Sequence, residues 1–311
     1  MNTKIKKINL NHSFIFFLFC NIFSLIIFKF KNLIISPLIC LALILIIGVS
    51  HGSLDNIKGK KLLNIFKFEN IILFYLVYIL LVISVVIIWI LFPSISLITF
   101  LIIASFHFGK EDTQFLINEN SYLNQFLFFL KGTFIILSPM YFHFDETVSI
   151  FKLLLVENES FYVGLNFIET YKILQFGIIL STLSSIFLFL RNFEIKKFTI
   201  FLDYFSILIL NYCFSPLMAF TIYFCFLHSI RHSITLIFEL NEQDLKNGLK
   251  IFIKKATPLT LLTAIFCMIS IYLISKSYDL DNSILKVIFI GLASLTFPHI
   301  LLEYFLEKNE K

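Results

Sequence analysis

The chain has 311 residues, a formal net charge of +5, and a composition that is 59% hydrophobic and 14% charged, with mean hydropathy +0.91. Soluble domains run at about 45–50% apolar and about 25% charged, so an ordinary water-soluble globule is excluded. Apolar stretches of about 17–25 residues, each long enough to cross a bilayer core as a helix, recur from residue 13 to residue 306.

These stretches predict an all-α fold: a polytopic transmembrane helix bundle of about ten spans (eight to ten). The spans fall near 13–28, 33–50, 70–92, 94–109, 123–142, 171–190, 198–213, 216–237, 258–275 and 284–306. A membrane β-barrel would alternate polar and apolar residues, whereas the run from Ile71 to Phe92 is apolar almost without interruption. Pro37, Pro139, Pro216, Pro258 and Pro298 sit near the ends or bends of these spans, where neighbouring helices absorb a lost hydrogen bond. Between 143 and 170 only a short interfacial helix around SIFKLLLV is expected, too short to span. No linker divides the chain and no internal repeat stands out, so 1–311 reads as one integral-membrane domain. The basic start and first apolar run lack a small-residue cleavage site, and the first span is expected to be retained.

Charge gives the orientation. Under the ten-span reading, seventeen Lys and Arg lie in one set of alternate loops, among them Lys4, Lys58, Lys110, Arg191, Lys246 and Lys308. The opposite set holds four: Lys29, Lys31, Lys152 and Lys276. By the positive-inside rule both termini are cytoplasmic. The net positive charge is thus a topology signal and calls for no nucleic-acid partner. The five cysteines lie inside apolar runs without C-x-x-C spacing, so neither disulfides nor thiolate ligands are expected.

Chemistry enters through histidine. An ionisable residue inside a span is costly and marks a functional site. Five of the seven histidines are of this kind: His51 in VSHGSLDN, His107 in SFHFGKED, His228 and His232 in FLHSIRHS, and His299 in TFPHILLE. All five fall in spans that run from the outer side to the cytoplasm. At 1.5 Å rise per residue, His232 lies roughly 8 Å, His299 about 10 Å and His228 roughly 13 Å from the cytoplasmic helix end. Four parallel helices therefore carry five imidazoles to one layer. His12 and His143 fall at the ends of spans and read as solvated or interfacial.

His228 and His232 share a helix face at i,i+4 spacing. Arg231 between them points elsewhere round the helix. Asp55, Glu111 and Glu303 follow His51, His107 and His299 at i+4, with Asp112 adjacent. Metal-bound imidazoles often donate their second N–H to such carboxylates; the alternative is that the acids mark the membrane boundary. Gly52 and Gly109 allow close backbone approach or a helix end. A set of neutral imidazoles without thiolate suits Fe(II), Cu, Zn or Ni. Five well-placed histidines are too few for a di-iron desaturase and share one layer, unlike a bis-histidine haem site, which points to one ion.

HGSLD at 51–55, FHFGKED at 106–112, HSIRH at 228–232 and FPH at 297–299 together resemble the Brp/Blh family of membrane β-carotene 15,15′-dioxygenases, over essentially the whole chain. That resemblance implies cleavage of the central double bond of β-carotene by O₂ to two all-trans-retinal, at a mononuclear non-haem Fe(II). It implies a metal quartet of His51, His107, His228 and His232, which are also the catalytic residues. Asp55, His299 and Glu303 are the expected supporting residues around it. The family often has a histidine where Asn56 stands here. β-Carotene is expected from the bilayer of the cell (inner) membrane, with a microbial rhodopsin as the implied acceptor of retinal. Phe106, Phe108, Phe224, Phe226 and Phe297 are candidates for a substrate tunnel, and the small residues Ala104 and Ser105 are expected beside it. The competing readings are a histidine-lined metal-ion transporter and a carotenoid- or retinal-binding protein without turnover.

Overall fold

The computed structural model describes residues 3–29, 36–117, 121–191 and 193–309, apart from the side chains of Thr3, Phe28, Lys29 and His51. Lys31 and Lys311 of the charge asymmetry, and the start of the span expected at 33, lie outside the described residues. All regular structure among the described residues is helical.

In chain order the helices are α1 (Thr3–Lys29), α2 (Pro37–Leu43), α3 (Asp55–Ile65), α4 (Ile71–Leu91), α5 (Pro93–Glu111), α6 (Tyr122–Phe142) and α7 (Phe144–Leu153). They continue with α8 (Glu159–Thr170), α9 (Ile173–Leu190), α10 (Thr199–Cys213), α11 (Pro216–Ile222), α12 (Ile230–Leu240), α13 (Leu245–Ile274) and α14 (Leu280–Asn309). Their starts are written locally. Ser36, Asn70, Ser121, Asn158 and Asp244 accept backbone N–H groups of the first turns of α2, α4, α6, α8 and α13, the usual N-cap chemistry. Pro37, Pro93 and Pro216 open α2, α5 and α11, where a missing N–H costs nothing.

Among the described residues, seven helices are long and apolar enough to cross a bilayer. An eighth forms if the bent segment Pro37–Gly48 with Gly52–Ile65 counts as one span. The ten-span reading counts two stretches more. Helix α10 has only 15 residues. The stretch from Pro216 to Leu240 is interrupted by a π-helical turn, Tyr223–Ser229. The region after 143 holds two short helices, α7 and α8, rather than one.

Burial sorts the bundle. None of the most apolar window of α4, and only 6% of that of α13, is buried within the protein, against 50% for α14 and 44% for α6. Helices as apolar as α4 that leave their side chains outward face lipid. Helices α5 and α6 pack backbone to backbone. A Cβ on Gly132 would stand 1.7 Å from the Ser105 carbonyl oxygen, and one on Gly109 would stand 1.8 Å from that of Phe128. Small residues at such crossings let transmembrane helices approach closely, and this contact fixes the helix that carries His107.

Two π turns face each other. Ile44–Gly48 ends α2, and Tyr223–Ser229 joins α11 to α12. Gly48 lies against the Phe224 ring, where a Cβ would come within 2.5 Å of a ring carbon. The Ser229 hydroxyl donates to the Gly48 carbonyl at 3.3 Å. Such turns are uncommon and recur at functional sites; here one leads into the Val49–Leu54 3₁₀ turn that contains His51, and the other contains His228.

Candidate active site

Four of the five intramembrane histidines converge. The ring centroids of His107 and His228 are 5.3 Å apart, those of His107 and His299 are 5.6 Å apart, and those of His232 and His299 are 5.8 Å apart. All four are buried. They come from α5, the Tyr223–Ser229 π turn, α12 and α14, so three separate stretches of chain supply them. The side chain of His51 lies outside the described residues; its backbone sits in the Val49–Leu54 turn, and the adjacent Gly52 lies beside His299. Nothing in the ring positions sets His299 apart from the other three.

Three of the histidines have a carboxylate on Nδ1. His299 donates to Asp55 Oδ1 at 2.8 Å, His232 to Glu111 Oε2 at 3.1 Å, and His228 to Asp112 Oδ1 at 3.3 Å. A carboxylate only accepts, so the proton sits on Nδ1 and a neutral ring carries its lone pair on Nε2. On the Nε2 side, Glu303 Oε1 lies 3.6 Å from His299 and 3.7 Å from His232. One ligand atom from each of His232, His299 and Glu303 lies within 4.8 Å of the other two. The Lys58 ammonium is 2.7 Å from Glu303 and 3.4 Å from His232 Nε2. An ammonium can only donate, so this nitrogen accepts from a cation. A buried set of imidazole lone pairs with a carboxylate, the rings oriented from behind, fits a divalent metal ion, which would share Glu303 with the Lys58 ammonium.

The i+4 spacing gives the wrong partner for Glu111, which follows His107 but holds His232. Asp55 holds His299, and its expected pairing with His51 lies outside the described residues. Glu111 closes α5, and from a helix end side chains fan towards neighbouring elements. Glu303 does approach the histidine four residues before it.

Each acid is gripped from a second side by a residue that the sequence did not single out. Tyr78 donates to Asp55 at 2.9 Å, Tyr223 to Asp112 at 2.7 Å, Gln114 to Glu111 at 2.6 Å and Lys58 to Glu303 at 2.7 Å. A tyrosine hydroxyl inside an apolar run needs a partner when buried, and that was the available signal for Tyr78 and Tyr223. Arg231 does turn away from the cluster. It pairs with Asp203 at 2.9 Å and donates to Ser13 at 2.6 Å and to the Asp112 carbonyl at 3.2 Å. His12 and His143 are not simply solvated. His12 donates to the Phe226 carbonyl at 2.8 Å, tying α1 to the π turn, and His143 donates to Asn211 at 2.8 Å.

An apolar cavity lies behind Phe108 and Tyr223, lined also by Ala104, Ile135, Pro139 and Phe220; none of the cluster histidines lines it, and Phe108 against His228 and Tyr223 on Asp112 stand between the two. Of the five phenylalanines flanking histidines, only Phe108 lines it. Phe224 instead stacks on His228, with centroids 5.8 Å apart and planes 17° apart. Ala104 faces the cavity, whereas Ser105 backs onto Gly132 of α6 and donates to Leu101. Tyr223 belongs to both sides, its ring in the cavity wall and its hydroxyl on Asp112.

Residues 42–307 match the sequence family described as beta-carotene 15,15′-dioxygenase. The chain is also 27% identical over 265 residues to a beta-carotene 15,15′-dioxygenase from the uncultured marine bacterium 66A03, covering 84% of this chain and 90% of that protein. No solved structure matches. A buried histidine cluster beside an apolar cavity, in a helical membrane protein matched over most of its length, has one reading: the chain belongs to the beta-carotene 15,15′-dioxygenase family of carotenoid cleavage dioxygenases.

Proposed function

We propose that this protein cleaves the central 15,15′ double bond of β-carotene with O₂ at a single non-haem Fe(II), releasing two molecules of all-trans-retinal. Both oxygen atoms of O₂ end in the two aldehydes, so no reductant is required. The observation that carries this reading is the pairing of a metal-fitting histidine cluster with an apolar cavity at its edge. His51, His107, His228 and His232 hold the ion in this proposal, with His299 and Glu303 alongside. A ferrous ion bound there supplies the one-electron chemistry that lets O₂ react with a closed-shell alkene.

The residues do the rest by placement. Asp112, Glu111 and Asp55 fix the tautomers of His228, His232 and His299, so their lone pairs are aimed before any substrate arrives. The cavity walls take up a polyene that has no polar group to grip, so shape alone sets which bond lies beside the histidines. Phe108, whose ring centroid is 4.8 Å from that of His228, forms the contact between wall and cluster. Apolar walls also keep water from a reactive intermediate. The substrate comes laterally from lipid, from the cell (inner) membrane in which both termini face the cytoplasm, and retinal leaves to an acceptor such as a microbial rhodopsin. A metal-ion transporter would need polar groups continuing past the histidines, and the cavity on that side is apolar.

Expression in β-carotene-producing cells, with chromatography of the extracted pigments, tests the reading. Retinal appears with the native chain and not with His107→Ala; loss of β-carotene without retinal would show cleavage at another bond.

A further inference from the structure

The histidine cluster has a second cavity, of opposite character to the first. It has a volume of about 190 Å³ and is lined by Asn9, Glu111, Gln114, His228, His232 and Thr235, with Asp112 and Arg231 in its wall. One water needs about 10–15 Å³ of such space, so the chamber has room for several. His228 and His232 lie at its buried side, while Glu111, Gln114 and Thr235 are only partly buried and form its rim.

Asn9 marks it as occupied by something polar. Its side chain is 0% exposed, and neither its amide nitrogen nor its amide oxygen has a hydrogen-bond partner among the described residues. Burying such an amide without a partner is costly, so native structures supply one. An amide offers both donor and acceptor, which suits water or a metal-bound water. The charge in the wall selects the sign. Arg231 pairs with Asp203 at 2.9 Å and reaches Asp112 Oδ1 at 3.6 Å, so two carboxylates face one shared guanidinium and Glu111 at the rim tips the balance towards a cation. A space lined by these carboxylates, imidazoles and amides suits an ion with part of its water shell.

We propose that this chamber is the route by which a hydrated divalent cation reaches the histidine cluster, with Asn9 and Thr235 easing its passage. The inference rests on the metal-binding reading above and adds the direction of loading. Metal arrives through the polar chamber, at the end of the bundle where α1 begins and α5 ends, while the apolar cavity on the far side of Asp112 serves only the lipid-borne substrate. Asn9 and Thr235 touch neither the histidines nor their carboxylates through any hydrogen bond, so they act on passage alone.

The test is metal exchange on the purified full-length protein in detergent, stripped of metal and kept anaerobic. Fe(II) uptake and its extraction by a chelator are followed by metal analysis of gel-filtered samples. Asn9→Leu and Thr235→Leu each make the chamber apolar, and each is expected to slow uptake and extraction together by about tenfold with final occupancy unchanged. Ala104→Leu, in the other cavity, leaves both rates as in the native protein. Should Asn9→Leu fail to fold, Thr235→Leu carries the test. Native rates in the folded variants, or lowered occupancy at native uptake rates, would overturn the route while leaving the metal site standing. A native protein that takes up no metal would overturn the metal reading itself, and the route with it.

Discussion

Tyr223 donates its hydroxyl to Asp112 Oδ2 at 2.7 Å while its ring lines the apolar cavity, and Asp112 in turn holds His228 and walls the polar chamber. This one hydrogen bond joins the wall of the apolar cavity to the wall of the polar chamber. Tyr223→Phe keeps the ring in the cavity wall and removes only the grip on the aspartate. Iron affinity is then expected to fall by roughly tenfold, the usual scale for loss of an outer hydrogen bond at a metal site. KM for β-carotene stays near the native value. An unchanged iron affinity, measured by competition with a chelator, would show that Asp112 is held without Tyr223.

His228→Ala and His299→Ala separate the ligands from their neighbour. The first is expected to leave no bound iron and no turnover. The second is expected to keep iron and lose part of the turnover, since the proposed quartet stands without it. Metal content per chain decides both. Full iron in His228→Ala removes it from the quartet, and loss of iron in His299→Ala makes that ring a ligand, which its position next to His107 and His232 allows.

Ala104→Phe fills the apolar cavity one helical turn before His107. Turnover of β-carotene is expected to fall by an order of magnitude or more while iron content stays native. Equal loss of iron would mean that the added ring had displaced His107 instead of excluding the substrate.

Gly132→Ala tests the α5–α6 crossing. A Cβ at that position would meet the Ser105 carbonyl oxygen at 1.7 Å, so the helices must part. The expected cost is about 1–3 kcal/mol, the range for overpacking a tight interface, read as a lower midpoint in thermal unfolding of the detergent-solubilised protein. A native midpoint would show that α5 is positioned by other contacts.

Much of this architecture can be read from residue order, and the places where reading stops are instructive. Long apolar runs such as Ile71–Leu91 announce themselves by hydropathy alone. Span number does not, because α10 is too short to be decisive and the Pro216–Leu240 stretch changes helix type partway. The histidines are legible because an imidazole in an apolar run has few ordinary uses. Their partners are not. Asp55 and His299 are far apart in the chain, and only the folded bundle brings them to 2.8 Å. The i+4 rule presumes that the helix runs on past the acid, whereas α5 ends at Glu111, which turns to His232 instead of His107. In the sequence Lys58 reads only as a loop charge, yet in the fold it reaches back to Glu303 and His232.

The π turn at Tyr223–Ser229 makes chain length itself a constraint. In a regular helix each residue advances the side chains by about 100°. A π turn holds one residue more than an α turn, so deleting one here would let the stretch close as regular α-helix with α12 kept in place, and the change would fall on the turn itself, taking His228 off Asp112 and Ser229 off Gly48 in the same motion. Substitutions here act one contact at a time, whereas a single deletion acts on every contact the turn makes. Engineered variants should accordingly leave the residue count from Tyr223 to His232 untouched. Insertions belong in connections such as the one between α9 and α10, where no ligand orientation depends on register.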